Sequence, residues 1–214
     1  MLCLTLDAKT MKENKALYER NKDYVSLVEL RVDMLDPSEY QKAKSFPVEI
    51  DVPVILTIRK PCDGGRYAGT EEERKALMAD LSQGLFFYVD MEIGLDFPEL
   101  ERQLTSRGVN IIRSLHDFNG IPEDLPELAR SIASCGQIPK FAITINTEEE
   151  LSEAFHLGEV LSDVPRKIIV GMGAYGIRTR VGYRRLGSIL TFCSESDPNG
   201  IGLPTPRELS ELVG

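Results

Sequence analysis

The sequence predicts a single (β/α)8 barrel, on three observations. Eight short apolar runs rich in β-branched residues recur along 214 residues. Segments with apolar residues at three- and four-residue spacing lie between them, and no long interruption or shift of composition divides the chain. Strand–helix alternation calls for a parallel sheet, and eight such units favour a closed barrel over an open doubly wound sheet. No GxGxxG follows the first run. The length suffices for one sizeable core, so residues 1–214 read as one domain.

Taken in order, the strand candidates are "LCLTL" (2–6), "YVSLVELRVD" (24–33), "VPVILTIR" (52–59), "LFFYVDMEI" (85–93), "VNIIRSLHD" (109–117), "KFAITIN" (140–146), "KIIVGMG" (167–173) and "SILTFCS" (188–194). The helical segments "EERKALMADLSQG", "DFPELERQLTSRG", "IPEDLPELARSIASCG" and "TEEELSEAFHLGEVLSD" begin with acidic turns, and several close on Gly. Pleating sorts the strand residues by face. Val28, Leu30 and Val32 share one side of the second strand, and Glu29, Arg31 and Asp33 the other. In the fourth strand Leu85, Phe87, Val89 and Met91 oppose Asp90 and Glu92. In the sixth, Phe141, Ile143 and Ile145 oppose Lys140, Ala142 and Thr144. The apolar sides should meet the helices and the charged sides the barrel axis, where a charge is costly unless paired.

Composition narrows the function. A formal net charge of −9 argues against a sequence-independent grip on nucleic acid. Cys3, Cys62, Cys135 and Cys193 are widely spaced with no CxxC pair, which suggests neither a zinc ribbon nor a disulfide framework and fits reduced thiols in a cytosol. No basic leader precedes the first strand and no apolar run reaches the roughly 18 residues of a membrane span. A cytoplasmic protein is expected.

Arg59 at the end of the third strand, His116 at the end of the fifth, Thr5 near the end of the first, and Arg180 after the seventh should gather where barrels of this kind place their active sites. Lys140 opens its strand and would have to reach along the axis. Each residue has a plainer reading, as an ion pair filling a barrel layer, a hydrogen-bonded histidine or a solvated lysine; their coincidence is what favours chemistry. A lysine withdrawn from water can attack a carbonyl as the amine and form a Schiff base, an electron sink that acidifies the neighbouring carbon. An imidazole is suited to remove that proton and to protonate a departing hydroxyl. His116 can fill both roles, with Asp63 a candidate to orient it. Arg31, Arg59 and Arg180 imply an anionic, oxygen-rich substrate. His156, mid-helix, reads as a surface residue and Cys62 as inert; Met172 is a candidate pocket residue.

The pieces "ELRVD", "TIRKPCDGG", "SLHDF", "IPKFA" and "GMGAYGIRTR", in that order on successive strands, resemble the type I 3-dehydroquinate dehydratases of the shikimate pathway. The resemblance runs from about Thr5 to Ser196. It implies that Lys140 forms the Schiff base with the ketone of 3-dehydroquinate and that His116 acts as base, then acid, in a syn loss of water. Thr5, Glu29, Arg31, Arg59, Arg180 and Ser196 would bind substrate, with Arg180 on the carboxylate and Glu29 and Arg31 around ring hydroxyls. No metal or organic cofactor is implied; a homodimer is, and some relatives are fused to a shikimate dehydrogenase.

Three departures stand out. Asp63 replaces a frequent Glu, Gly200 stands where a lid glutamine often touches substrate, and no hairpin precedes the first strand. Two rivals remain. The glycines of "VGMG" could cradle a phosphate, as in a Schiff-base aldolase acting on a sugar phosphate. The other is a non-catalytic barrel that binds a carboxylate metabolite.

Overall fold

The structure, a computed structural model, describes residues 1–196 and 203–213. Eight strands alternate with helices: β1 (Leu2–Leu6), α1 (Met11–Asn21), β2 (Leu27–Arg31), β3 (Val54–Thr57), α2 (Glu71–Leu81), β4 (Tyr88–Glu92), α3 (Pro98–Ser106), β5 (Asn110–Asp117), α4 (Leu125–Ser134), β6 (Ile138–Thr144), α5 (Glu148–Val160), β7 (Ile168–Met172), α6 (Gly176–Val181), β8 (Thr191–Cys193) and α7 (Pro206–Val213). A run of 3-10 turns, Pro37–Val48, stands between β2 and β3 where another unit would carry a longer helix. The strands form one sheet in the order β7-β6-β5-β4-β3-β2-β1-β8. A parallel bridge, Lys167 to Ser188, joins the approach to β7 with the segment leading into β8, so the strand order is that of a (β/α)8 barrel.

Backbone contacts divide the chain into two compact units, Leu4–Ile111 and Met1–Cys3 with Ile112–Gly214. In the first, β2 pairs with β3 and β3 with β4, with Glu29 opposite Ile55 and Thr57 opposite Asp90. In the second, β5 pairs with β6 and β6 with β7. Leu4, Leu6, Leu30, Ile55, Leu56 and Val89 in the first unit, and Phe141, Ile143, Ile168 and Ile169 in the second, are fully buried. Each such side chain contributes about 1.5–3 kcal/mol of burial free energy. Thr10, Thr70 and Thr147 start α1, α2 and α5 with capping boxes to Glu13, Glu73 and Glu150, satisfying amides the helices cannot.

Three strands differ from expectation in ways that move a singled-out residue. The second strand stops at Arg31, and Val32–Met34 form a 3-10 turn, so Asp33 does not continue the pleat. The fourth begins at Tyr88; Leu85 and Phe87 precede it, 73% and 50% exposed, and are not core. The sixth begins two residues early, at Ile138, so Lys140 lies inside its strand and does not open it.

Candidate active site

In the unit Leu4–Ile111 the predicted polar residues form a buried network. Glu29 accepts from Thr57 Oγ1 (2.9 Å) and Thr5 Oγ1 (3.4 Å), so its carboxylate is held from the strands on either side. Arg59, two residues past β3, donates to Asp90 Oδ1 at 2.7 Å, and its Nε is 4.0 Å from Glu92 Oε1. Burial works against the Arg59 charge, but Asp90, Glu29 and Glu92 outweigh it and hold the guanidinium well above its ordinary value. Glu92 is gripped by Arg74 of α2, whose Nη1 lies 3.1 and 2.8 Å from its two oxygens and also donates to Ile58 O at 2.7 Å. Arg31 is bound along one edge by Asp33, Nε to Oδ1 at 3.0 Å and Nη2 to Oδ2 at 2.8 Å. Burial opposes the Arg31 charge too, and the Asp33 carboxylate more than restores it. Arg31 therefore has its Nε–Nη2 edge taken by Asp33, so a ligand oxygen can meet it only from the Nη1 side.

Asp63 closes a short 3-10 turn, Pro61–Asp63, and its carboxylate accepts from Cys62 Sγ at 3.4 Å and lies 3.8 Å from Lys60 Nζ. Burial and then Asp63 raise the Cys62 thiol, consistent with an inert cysteine. The loop can lie against Arg59 because position 65 has no side chain: a Cβ there would fall 2.1 Å from Arg59 O. Gly64 takes the left-handed backbone (φ 77°) that lets it turn.

In the other unit, the β5–β6 register pairs Ser114 with Lys140 and His116 with Ala142. Paired residues on adjacent strands point to the same side, so Lys140 and His116 are diagonal neighbours on one face. Strands about 4.8 Å apart with a rise of about 3.3 Å per residue set their Cα atoms about 8 Å apart, within reach of a lysine stem. Lys140 is 3% exposed, with its Nζ 4.5 Å from the centroid of the Phe192 ring on β8. Arg180, in α6, is buried and donates to Phe192 O at 3.5 Å. Arg178, two residues earlier, is on the surface with Glu148.

The two glycines of "VGMG" have packing reasons. Gly171 admits α6: its amide donates to Thr179 Oγ1 at 2.7 Å, and a Cβ there would meet that oxygen at 2.7 Å and Gly176 Cα at 3.0 Å. A Cβ on Gly173 would fall 2.5 Å from Asn146 Oδ1. Met172 is buried. Ser196 is exposed, its amide donating to Ser194 Oγ at 3.1 Å, and His156 is on the surface as expected. Gly200 lies outside the described residues.

The chain as a whole has counterparts among known proteins. Residues 2–214 match the family described as Type I 3-dehydroquinase. The chain belongs to that family. A 3-dehydroquinate dehydratase of Methanocaldococcus jannaschii is 30% identical over the whole of this chain and 99% of its own length. The 3-dehydroquinate dehydratase structure from Aquifex aeolicus superposes with a TM-score of 0.84 at 28% identity, covering 99% of this chain and 96% of that one. The type I enzyme from Clostridium difficile, solved with covalent modified comenic acid, gives 0.87 at 22% identity over 99% and 90%, a likeness of fold.

Residue types alone did not single out Arg74, Thr57 and Phe192. Arg74 was legible in principle: it shares a helix face with Met78 and Leu81, at i+4 and i+7, and a cation on a buried stripe needs an acid such as Glu92. Phe192 carried no signal beyond its place in a strand.

Proposed function

We propose that the chain dehydrates 3-dehydroquinate to 3-dehydroshikimate through a Schiff base on Lys140, as a type I 3-dehydroquinate dehydratase. The observation that carries the reading is the diagonal of Lys140 and His116 on one face of β5 and β6, in a chain of this family. The Lys140 amine adds to the substrate ketone and the adduct loses water to give an iminium ion. His116 takes the adjacent proton, leaving an enamine, and the imidazolium then protonates the β-hydroxyl, which departs as water. Hydrolysis of the conjugated iminium returns Lys140, so the net change is the loss of one water. Nucleophile and proton carrier are separate groups.

The other assignments follow the family likeness. Arg180 takes the substrate carboxylate, Glu29, Arg31, Arg59, Thr5 and Ser196 bind its oxygens, and Asp63 orients His116. Asp63, one methylene shorter than the glutamate frequent in the family, has Cys62 and Lys60 as its local partners. By the same likeness the enzyme is a cytoplasmic homodimer that needs no cofactor; a solution mass near twice 23.9 kDa checks the dimer.

Turnover is followed by the enone absorbance of the product. Lys140→Ala is expected to abolish it. His116→Ala should lower kcat by about 10²–10⁴ while imine formation persists. A wild-type protein without enone formation would remove the proposal.

A further inference from the structure

Asp33 takes no part in the chemistry assigned above, yet its carboxylate is wholly buried and accepts three hydrogen bonds. Two residues apart on an extended strand, Arg31 and Asp33 would stand about 6.6 Å from each other with parallel side chains. The backbone instead leaves β2 at Arg31 (φ −83°, ψ 84°) and turns through Val32–Met34, closed by Leu35 N donating to Val32 O at 3.1 Å. That turn folds the carboxylate back onto the guanidinium.

Two consequences follow. Asp33 occupies the Nε–Nη2 edge of Arg31, while Nη1 makes no hydrogen bond among the described residues on a side chain only 10% exposed. A buried guanidinium with one nitrogen left over has a donor to offer a ligand oxygen, and with its other edge clamped it has little freedom to turn away. Meanwhile Asp33 Oδ2 also accepts from Arg66 N at 3.0 Å, and Arg31 Nη2 approaches Gly64 O at 3.5 Å. One carboxylate therefore ties both Arg31 and the loop that carries Asp63 to the end of β2.

We propose that Asp33 is a positioning residue that presents Arg31 Nη1 to a ligand oxygen and anchors the loop at Arg66, so that ligand affinity depends on Asp33 through Arg31. The inference rests on the dehydratase reading for its ligand, 3-dehydroquinate. Its loop half stands on this chain's hydrogen bonds alone.

The test is Asp33→Asn in wild-type and Arg31→Met backgrounds, read by steady-state kinetics and by amide exchange across residues 60–67. Loss of a charged contact to the guanidinium should raise KM by about tenfold or more, with kcat falling by less. In the Arg31→Met background the same change should leave KM where Arg31→Met alone puts it, while exchange at the Arg66 amide quickens in both. Equal fold-changes in KM in both backgrounds would show a merely structural role and overturn the proposal, as would an unaltered KM. Should Asp33→Asn not fold, Asp33→Glu keeps the charge but displaces it by one methylene and carries the same comparison. A wild-type protein that does not turn over 3-dehydroquinate sinks the dehydratase reading only. Exchange at Arg66 then decides the anchoring, and an unchanged rate overturns it.

Discussion

Adding one methyl group at Gly171 tests how the sheet sets Arg180. A Cβ there would lie 2.7 Å from Thr179 Oγ1, 3.0 Å from Gly176 Cα and 3.0 Å from Ile145 Cδ1. Ordinary contacts run to about 3.5–4.0 Å, so α6 must retreat by roughly 0.5–1 Å. Overpacking of this size costs about 1–3 kcal/mol, and weakening the Gly171 N–H to Thr179 Oγ1 bond adds about 1 kcal/mol. For a chain of this length a loss of about 2–4 kcal/mol lowers Tm by about 4–16 °C. Arg180 follows Thr179 directly and moves with it, and an ångström of misplacement lowers kcat/KM by up to about 10². Calorimetry and the enone assay on Gly171→Ala read both effects. Gly158→Ala is the control: its Cβ would meet Leu186 Cα and O at 2.9 Å, which should destabilise the protein while leaving KM alone. Gly171→Ala with Tm within about 1 °C of wild type and KM unchanged would refute the reasoning.

Other variants probe the buried charges and the thiol. Arg74→Met strips Glu92 of its two-oxygen partner and Ile58 O of a donor, and should cost about 3–5 kcal/mol in urea unfolding, whereas Arg74→Met/Glu92→Leu should recover most of it. A single variant losing less than about 1 kcal/mol would contradict that dependence. Burial pushes the Cys193 thiol up to about 12 from an ordinary 9.0. A raised thiol keeps its proton in the folded state after the unfolded chain has lost it. Its contribution is therefore fully present below pH 9 and disappears as pH climbs towards 12. At pH 10.5 the wild type should have lost about 2 kcal/mol more than Cys193→Ala, relative to pH 8, in paired denaturant titrations. Parallel curves for the two proteins would count against it.

Much of the barrel was legible because period-two alternation survives in its strands: Phe141, Ile143 and Ile145 are buried on one side of Lys140, Ala142 and Thr144, as the pattern requires. Boundaries failed where one residue type disguised another's role. Pro139 hid the start of β6, because a residue without an amide reads as a strand breaker, and Lys140 was pushed to the edge. The sequence "RVD" continues the alternation of β2, so the turn that clamps Arg31 left no trace in it. Helix α1 went unnoticed because two of its four buried positions are Asn14 and Asn21, which are satisfied by backbone carbonyls and do not read as apolar. Of the site, the charged residues were visible as an improbable set of acids and arginines on inner faces. Which of them pair with each other was not, because Asp33, Asp90 and Arg74 find their partners through turns and neighbouring strands.

The central claim is a covalent bond between Lys140 Nζ and the substrate. Incubation with 3-dehydroquinate and sodium borohydride, followed by intact-mass and peptide mapping, reads it directly. One reduced adduct on the peptide containing Lys140, absent from Lys140→Ala, is the expected result. A protein that turns substrate over without gaining mass, or that carries the adduct on the other buried lysine, Lys167, would contradict the account.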